Sequence, residues 1–562
     1  MTGHYKPDPT RFAFDCFARG DLASAEKSFR DILAHDPAQP DAWHGMACLA
    51  RAHGQNATAI AMAGRALQAG GLPASRSARV HITLGLALAA EGHFEPARAA
   101  LSVARTLQPA DPRAHAASAE VFLLLGQRKA ACEALEEACA LARDDVEYLT
   151  RLGEIYLQDG RPDKALSCFG RVTKRAPRDG RDWANLGAAF FESRLLESAL
   201  QALEKACELG ARTGATLNSL GLVQMALGDL PEARRTLEEA LGFAPEDARI
   251  ANNLGTVLME MGEEETAKRL FSVIADRTSG YEQAQARFNH ATILLGEGEF
   301  SEGWQEFESR HCLLNTPQSS PAWDGSEGEL PIAVTAEQGL GDSIQFLRFL
   351  PLAAARRPLQ LRFPVDSLVS RMPLMDHART LEPEGPVAGE ISLLSLPFVL
   401  GLADQGGAAP YLESASIPEP RVVGLCWAGN PSYRFDRRRS LNLEWLEPLQ
   451  RVEGVRFVSL QQGSCPKWME KVSLETSEEL ANAVGRCSLV ISVDTAVAHM
   501  AGAVGRPLWL LNRRGGDWRW KTTPWYQNVR QFRPEGFLPE AWPPVVEQVA
   551  ENLRKWAQQQ PS

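Results

Sequence analysis

The stretch Gly153-Glu154-Ile155-Tyr156-Leu157-Gln158-Asp159-Gly160-Arg161-Pro162-Asp163-Lys164-Ala165-Leu166-Ser167-Cys168-Phe169 decides the fold of the first half of the chain. It runs from a small residue to a turn glycine, then to a second small residue and a bulky apolar one. The same arrangement recurs on both sides of it. Glycine stands at 20, 54, 92, 126, 160, 228, 262 and 298, with Arg194 filling the missing step. Five residues after each comes a small residue: Ala25, Ala59, Ala97, Ala131, Ala165, Ala199, Ala233, Ala267 and Gly303. Four further on lie Phe29, Leu101, Leu135, Phe169, Leu203, Leu237, Phe271 and Phe307. The step is 34, with one of 38 and one of 36. A period of this size marks helix–turn–helix units, which cannot bury an apolar face alone and so stack on their neighbours.

Gly85, Gly153, Gly187, Gly221 and Gly255 open room for close packing of each first helix. The turn residue supplies positive φ. Pro37, Pro109, Pro177 and Pro245 stop second helices, and Trp43 and Trp183 take the aromatic position. The pattern resembles the tetratricopeptide repeat and predicts eight to nine units over residues 8–311. Such arrays usually hold a polypeptide on one face. Two positions before the first-helix small residue stand Asn185, Ser219, Asn253 and Asn289. An asparagine amide both donates and accepts, so this row either clamps an extended acceptor backbone or bonds neighbouring helices. Ala117 and Arg151 in earlier units confine any such ladder to the later ones.

A chain of 562 residues has room for several domains. Its net charge of −11 lowers the weight of nucleic-acid binding. The ten cysteines form no C-x-x-C pair, so neither a zinc site nor a redox motif is expected, and a reducing cytoplasm fits their use. The start has no apolar signal region, and no uninterrupted apolar run reaches membrane-spanning length.

The helical rhythm stops at Arg310, and residues 312–330 read as a linker rich in Pro, Gly and Ser. Short apolar strands then alternate with helices: strands at 332–336, 359–363, 422–427, 457–460, 489–493 and 508–511, and helices after Asp342, near 443–449, from Ser477 and from Thr495. Alternation of this kind predicts parallel sheets covered by helices. Pro418 and Pro420 divide the region into halves, 331–417 and 418–562, with a ligand cleft expected between them at the carboxyl ends of strands.

Four segments carry a resemblance: Glu337–Phe346 with its Gly339-Leu340-Gly341-Asp342 turn, Gly424–Pro431, Ser492–Gly502 with Asp494-Thr495-Ala496 and His499, and Asp517-Trp518-Arg519-Trp520. Together they resemble bacterial fusions of tetratricopeptide repeats with a glycosyltransferase. The catalytic half of those fusions is similar to the GT-B fold of heptosyltransferases and of protein O-linked N-acetylglucosamine transferases. The fold implied is an all-α repeat superhelix followed by an α/β GT-B-like domain of two Rossmann-like halves. Some members of this architecture load nonulosonic acids onto serine or threonine of flagellin.

Read residue by residue, Thr495 and Ala496 begin a helix whose N–H groups and dipole suit a phosphate. Asp494 either accepts from a ribose or caps that helix. His499, one turn on, either steadies the leaving phosphate or packs as a helix histidine. Arg434, Arg437, Arg438 and Arg439 follow Asn430; a run of this kind is either a solvated loop or a set of donor contacts, with Arg437 and Arg439 favoured. Gln461 and Gln462 end the next strand. Relatives carry lysine where Gln462 stands, so a donor with a single phosphate fits better than a diphosphate. Asp342 reads as the base that takes a proton from the acceptor, or as a helix cap. Gly339 and Gly341 allow close approach of the sugar. Trp518 and Trp520 either stack on a ligand or pack in the core. No Asp-x-Asp pair occurs, so a metal-bridged diphosphate is not expected.

The expectation is therefore an inverting, metal-independent protein O-glycosyltransferase. It needs no cofactor beyond its nucleotide-sugar substrate, works in the cytoplasm, and takes an acceptor protein held by the repeats, flagellin by resemblance. The alternatives are a heptosyltransferase-like enzyme of envelope glycans, or a repeat scaffold with an inactive transferase half.

Overall fold

The computed structural model describes residues 8–314, 322–363, 366–375, 380–381, 385–433, 435–463, 465–521 and 525–560. The chain forms two compact units, Met1–Arg212 and Thr213–Ser562.

The first unit contains six helical hairpins, from Pro9–Ala18 with Leu22–His35 to Gly180–Glu192 with Leu196–Glu208. Within each hairpin the periodic glycine of the first helix makes room for the bulky residue of the second. A Cβ added at Gly153 would lie 2.7 Å from the Phe169 ring, and one at Gly187 2.6 Å from Leu203 Cγ. Phe169 and Leu203 are thereby fully buried, each such side chain contributing about 1.5–3 kcal/mol. The turn residue needs a left-handed backbone: Gly160 has φ 65° and Arg194, the substitute, φ 62°. An L-residue there is strained by about 1–2 kcal/mol. Asp21, Asp111, Asp145 and Asp179 accept from first-turn backbone N–H groups and so fix where helices begin.

The second unit opens with three more hairpins: Gly214–Leu227 with Leu230–Phe243, Ala248–Met261 with Glu264–Arg277, and Gly280–Glu297 with Phe300–Phe307. Two parallel sheets follow. The first contains β1 (Ile332–Thr335), β2 (Leu359–Arg362), β3 (Thr380–Leu381) and β4 (Gly389–Ser392) in the order β3-β2-β1-β4, with Ile332 opposite Leu359 and Gly389. The second contains β5 (Glu419–Cys426), β6 (Arg456–Ser459), β7 (Glu470–Lys471), β8 (Cys487–Val493), β9 (Leu508–Leu511) and β10 (Val529–Phe532) in the order β10-β9-β8-β5-β6-β7. Val423 lies opposite Phe457 and Leu489. Counted within each half, both sheets run third-second-first-fourth, the doubly wound order. Their strand order reverses between β1 and β4 and between β5 and β8, and ligands sit in the crevice at such switch points.

The sheets share a core with the last repeat hairpin. Trp304 packs its ring 5.8 Å from Phe346 and 6.0 Å from Trp518. Arg310, 1% exposed, donates to Glu337 at 2.5 Å and to Ser395 Oγ at 2.6 Å. Two expectations change as a result. Secondary structure switches from helix to strand between Leu314 and Ile332, but the compact units divide at 212/213: the last hairpin buries Phe300, Trp304 and Phe307 with the sheets, and the two before it meet the sheet-bearing part through Gly228, Glu260 and Glu264. Part of the expected linker is also packed: Trp323 is buried and Ala322 pairs with Glu390. Strands β3, β4, β7 and β10 were not foreseen. The first and third of these are two residues long, and β4 and β10 are half polar.

Candidate functional site

A cavity of about 1450 Å³ lies within the second unit, at both switch points. One wall is the loop after β5 (Ala428, Gly429, Asn430) and the start of the helix Ala496–Ala503 after β8. Its opposite wall is the turn after β1, Gln338–Asp342. Phe288, Thr292 and Phe307 of the last repeat hairpin complete it. The sequence-predicted Gly339, Gly341, Asp342, Asn430, Arg439, Gln461, Asp494, Thr495, Ala496 and His499 all line this space. Arg437 is exposed and does not line it, and Arg434 lies outside the described residues.

Asp342 is the third residue of the helix Leu340–Phe346, and its Oδ2 accepts from the Gly339 N–H at 3.2 Å. Its other oxygen takes Arg519 Nη2. The carboxylate thus closes the helix start, as the cap reading expects, and lines the cavity. Desolvation raises its proton affinity against the pull of Arg519, and the charge of Asp517 adds to the rise. Arg519 also donates Nη1 to Asp517 at 2.9 Å and Nε to Gln345 at 2.5 Å. Asp517 is held low: burial pushes its carboxyl up, but Arg519 more than offsets this.

Asp494 does not cap the helix. Its Oδ1 accepts from Trp520 Nε1 at 2.7 Å, and burial, then the charge of Asp517, raise its proton affinity. The cap residue is Thr495, with no side-chain cap bond, so the helix start meets the cavity through its backbone. The Thr495 hydroxyl turns back into the sheet, 3.2 Å from Ser492 Oγ and 3.4 Å from the Val493 carbonyl. The hydroxyl is thus engaged within the protein, while the residue lines the cavity.

His499 is 5% exposed, stacks on Trp520 at 5.1 Å and bonds through Nδ1 to the Tyr526 hydroxyl at 2.9 Å. Burial, reinforced by the charge of Arg519, pushes its pKa down to about 3, so the ring is neutral at pH 7. A neutral ring can orient a ligand by hydrogen bonding but carries no positive charge to offer a phosphate. A Cβ at Gly341 would lie 2.9 Å from His499 Cδ2. That glycine lets the two halves meet at the cavity, which it also lines.

The remaining residues of the first wall are held by bonds within the protein. Gln461 Oε1 accepts from Ala428 N at 2.9 Å and Trp427 N at 3.3 Å. Asn430 Oδ1 accepts from Ser432 N at 2.9 Å. Arg439 donates to the Asp494 carbonyl at 2.9 Å and to Asp436 at 2.7 Å, and stacks on Tyr433. Trp518 and Trp520 are both buried in the core, and Trp518 also lines the cavity.

The asparagine row does not enter the cavity. Asn253 Nδ2 donates to Asn218 Oδ1 at 2.8 Å, tying neighbouring repeat helices. Asn289 is buried and accepts from Gln285 at 3.3 Å. Asn185, in the first unit, is half-buried on the helix Gly180–Glu192. Of the repeat residues that do reach the cavity, Phe288 and Thr292 are neighbours of Asn289 on the same helix, and Phe307 lies on the next. Sequence reading also missed Asp517 and Arg519 as chemical groups, although both lie in a segment that carried the resemblance. It missed Glu260, a repeat-helix carboxylate 4% exposed that receives Arg438 Nη1 at 2.9 Å and Arg513 Nη2 at 3.1 Å. Among the described residues no His/Cys/Asp/Glu group is arranged to hold a metal ion, and no helix is long and apolar enough to cross a membrane.

Fold and cavity together define a helical-repeat protein whose last repeats merge with two doubly wound parallel sheets. The repeats match tetratricopeptide repeat models over residues 150–213 and again over 224–288, so the chain carries tetratricopeptide repeats in those segments. It is similar to Protein FlbA of Caulobacter vibrioides at 28% identity, over 49% of this chain and 56% of that relative. The chain thus spans about half the length of the curated relative it matches. Among solved structures, pilF of Pseudomonas aeruginosa overlaps 37% of this chain and 96% of its own at 20% identity, with a TM-score of 0.33. MamA of Desulfovibrio magneticus RS-1 overlaps 30% of this chain and 96% of its own at 20% identity, with a TM-score of 0.29.

Proposed function

We propose that this chain is a GT-B-type protein O-glycosyltransferase that moves a sugar, a nonulosonic acid, from a nucleotide-activated donor to serine or threonine of flagellin. One observation carries the reading. Asp342, a carboxylate of raised proton affinity, and the uncapped start of the helix Ala496–Ala503 line one cavity at the switch points of two doubly wound sheets. A base is needed on the acceptor side and an anion-stabilising group on the donor side, and these two features supply them. Asp342 takes the proton of the acceptor hydroxyl as its oxygen attacks the anomeric carbon. The bond from that carbon to the phosphate oxygen breaks, and the nucleotide departs toward the helix N–H groups. Attack from the face opposite the leaving group inverts the anomeric centre. His499, neutral and fixed by Tyr526, orients ligands without donating charge. The wall formed by Phe288, Thr292 and Phe307 is where a polypeptide carried by the repeats meets the reacting centre.

Intact-mass measurement of flagellin from cells with and without this protein tests the reading; equal masses refute it. A non-catalytic scaffold has one observation in its favour: Arg439 and Gln462 are engaged within the protein, the latter donating to the Leu474 carbonyl at 3.5 Å. Unchanged flagellin mass together with no binding of CMP or UDP would favour that second reading.

A further inference from the structure

We infer that Glu260 is a positioning residue through which a repeat helix sets the two loops that shape the donor side of the cavity. The inference rests on the cavity being a nucleotide site, as proposed above. Glu260 lies near the end of the helix Ala248–Met261, and its carboxylate is enclosed by Arg438 from the loop after β5 and Arg513 from the loop after β9. Arg438 also donates to the Arg514 carbonyl at 3.3 Å, so the two loops are tied to each other as well as to the helix. Contact continues along the backbone: a Cβ at Gly515 would lie 2.0 Å from the Glu260 carbonyl oxygen. No side chain larger than glycine's fits there.

Both loops run directly into the cavity. Arg439, next to Arg438, bonds the Asp494 carbonyl at 2.9 Å and lines it. Asp517, four residues after Arg513, lines it and holds Arg519, which in turn holds Asp342. One repeat carboxylate thus anchors both the donor wall and the arginine that orients the candidate base. Two buried guanidinium groups face this single carboxylate. Removing its charge leaves like charges side by side in a dry site, which drives the loops apart. Any shift of this helix when a polypeptide seats on the repeats is passed to both loops at once.

The test is hydrogen exchange and nucleotide binding on the full chain, comparing wild type, Glu260→Gln, and the triple variant Glu260→Met/Arg438→Met/Arg513→Met. In Glu260→Gln, amides of 435–440 and 512–520 should exchange about tenfold faster, while the strand Cys487–Val493 keeps its rate. Affinity for CMP or UDP, whichever wild type binds, should fall about tenfold in the same variant. The triple variant, which replaces the charges with apolar bulk, should recover thermal stability but not nucleotide affinity. Unchanged loop exchange, a uniform rise over the second unit, or recovery of affinity in the triple variant each overturns the inference. If wild type binds neither nucleotide, the nucleotide reading fails by itself, and the exchange comparison still decides whether Glu260 holds the loops.

Discussion

The position two residues before the turn reads differently in the two units. In the first unit it is occupied by Ala18, Ala52, Ala90, Leu124, Gln158 and Glu192, all exposed. In the second unit it is occupied by Ala226, Glu260 and Gly296, all buried. Gly296 lies against Lys521, and Glu260 sits between two arginines. One turn glycine of the second unit differs in the same way, whereas Gly262 is open like those of the first. A Cβ at Gly160 would meet open space, whereas one at Gly228 would come 2.9 Å from the Phe537 carbonyl. The hairpins are alike inside and differ in what their ends touch. A repeat is stabilised by its own hairpin and its neighbours, so its outer positions are free to take on another task, and in the second unit they carry the sheets and the cavity.

Substitutions in the second unit should therefore affect activity, and those in the first should affect stability. The largest effect is expected for Asp342→Ala. Sugar transfer, followed by the mass of flagellin incubated with donor, should slow by about 10²–10⁴-fold with the circular dichroism spectrum unchanged. Wild-type rates in that variant would remove Asp342 as the base.

Next in size is Gly153→Val. Its side chain meets the Phe169 ring, and overpacking of this kind costs about 1–3 kcal/mol. The loss should appear as a lower urea midpoint for the first unit. Gly255→Val, which meets Phe271, should cost a similar amount and reduce transfer as well. Equal activity in the two variants would mean that the units are not specialised in this way.

Acid sharpens the comparison further, because each unit holds a buried histidine whose pKa is pushed far down, His44 in the first and His499 in the second. His44, bonded to Thr83 Oγ1 at 3.1 Å, is pushed down to about 4 by burial, and His499 to about 3. Each is neutral in the folded state, so its contribution is complete above the ordinary value of 6.5 and is lost as pH falls toward the folded value. Near pH 5 the loss is about 2 kcal/mol for each group. His44→Gln should flatten the fall in unfolding midpoint between pH 7 and 5 for the first unit, and His499→Gln for the second. A slope unchanged by either substitution contradicts the burial argument.

The smallest effect is expected for Arg194→Gly. Relief of the left-handed strain, less the extra freedom of an unfolded glycine, should raise stability by about 0.5 kcal/mol, read as a small rise in melting temperature. A fall would mean that other contacts of Arg194 outweigh the strain.

The hairpins were legible because they are local. The glycine at 153, the turn at 160 and Phe169 lie within one supersecondary unit, so their spacing is their contact. Strands β1, β2, β5, β6, β8 and β9 were legible as apolar runs. The segments that line the cavity were legible because switch points fall at the carboxyl ends of such strands. The direction of individual side chains was not legible. Thr495 turns into the sheet and Asp494 toward Trp520, a choice made by neighbours from other elements.

Sequence alone determined the period, the turns, the parallel strands and the set of groups near the crevice, since each follows from residues close together in the chain. Tertiary structure alone decided that the last three hairpins belong with the sheets, that Arg519 joins Asp342 to Asp517, and that Glu260 meets arginines 178 and 253 residues away. Burying a charge is tolerable only when its partners arrive, and no local pattern announces partners that distant.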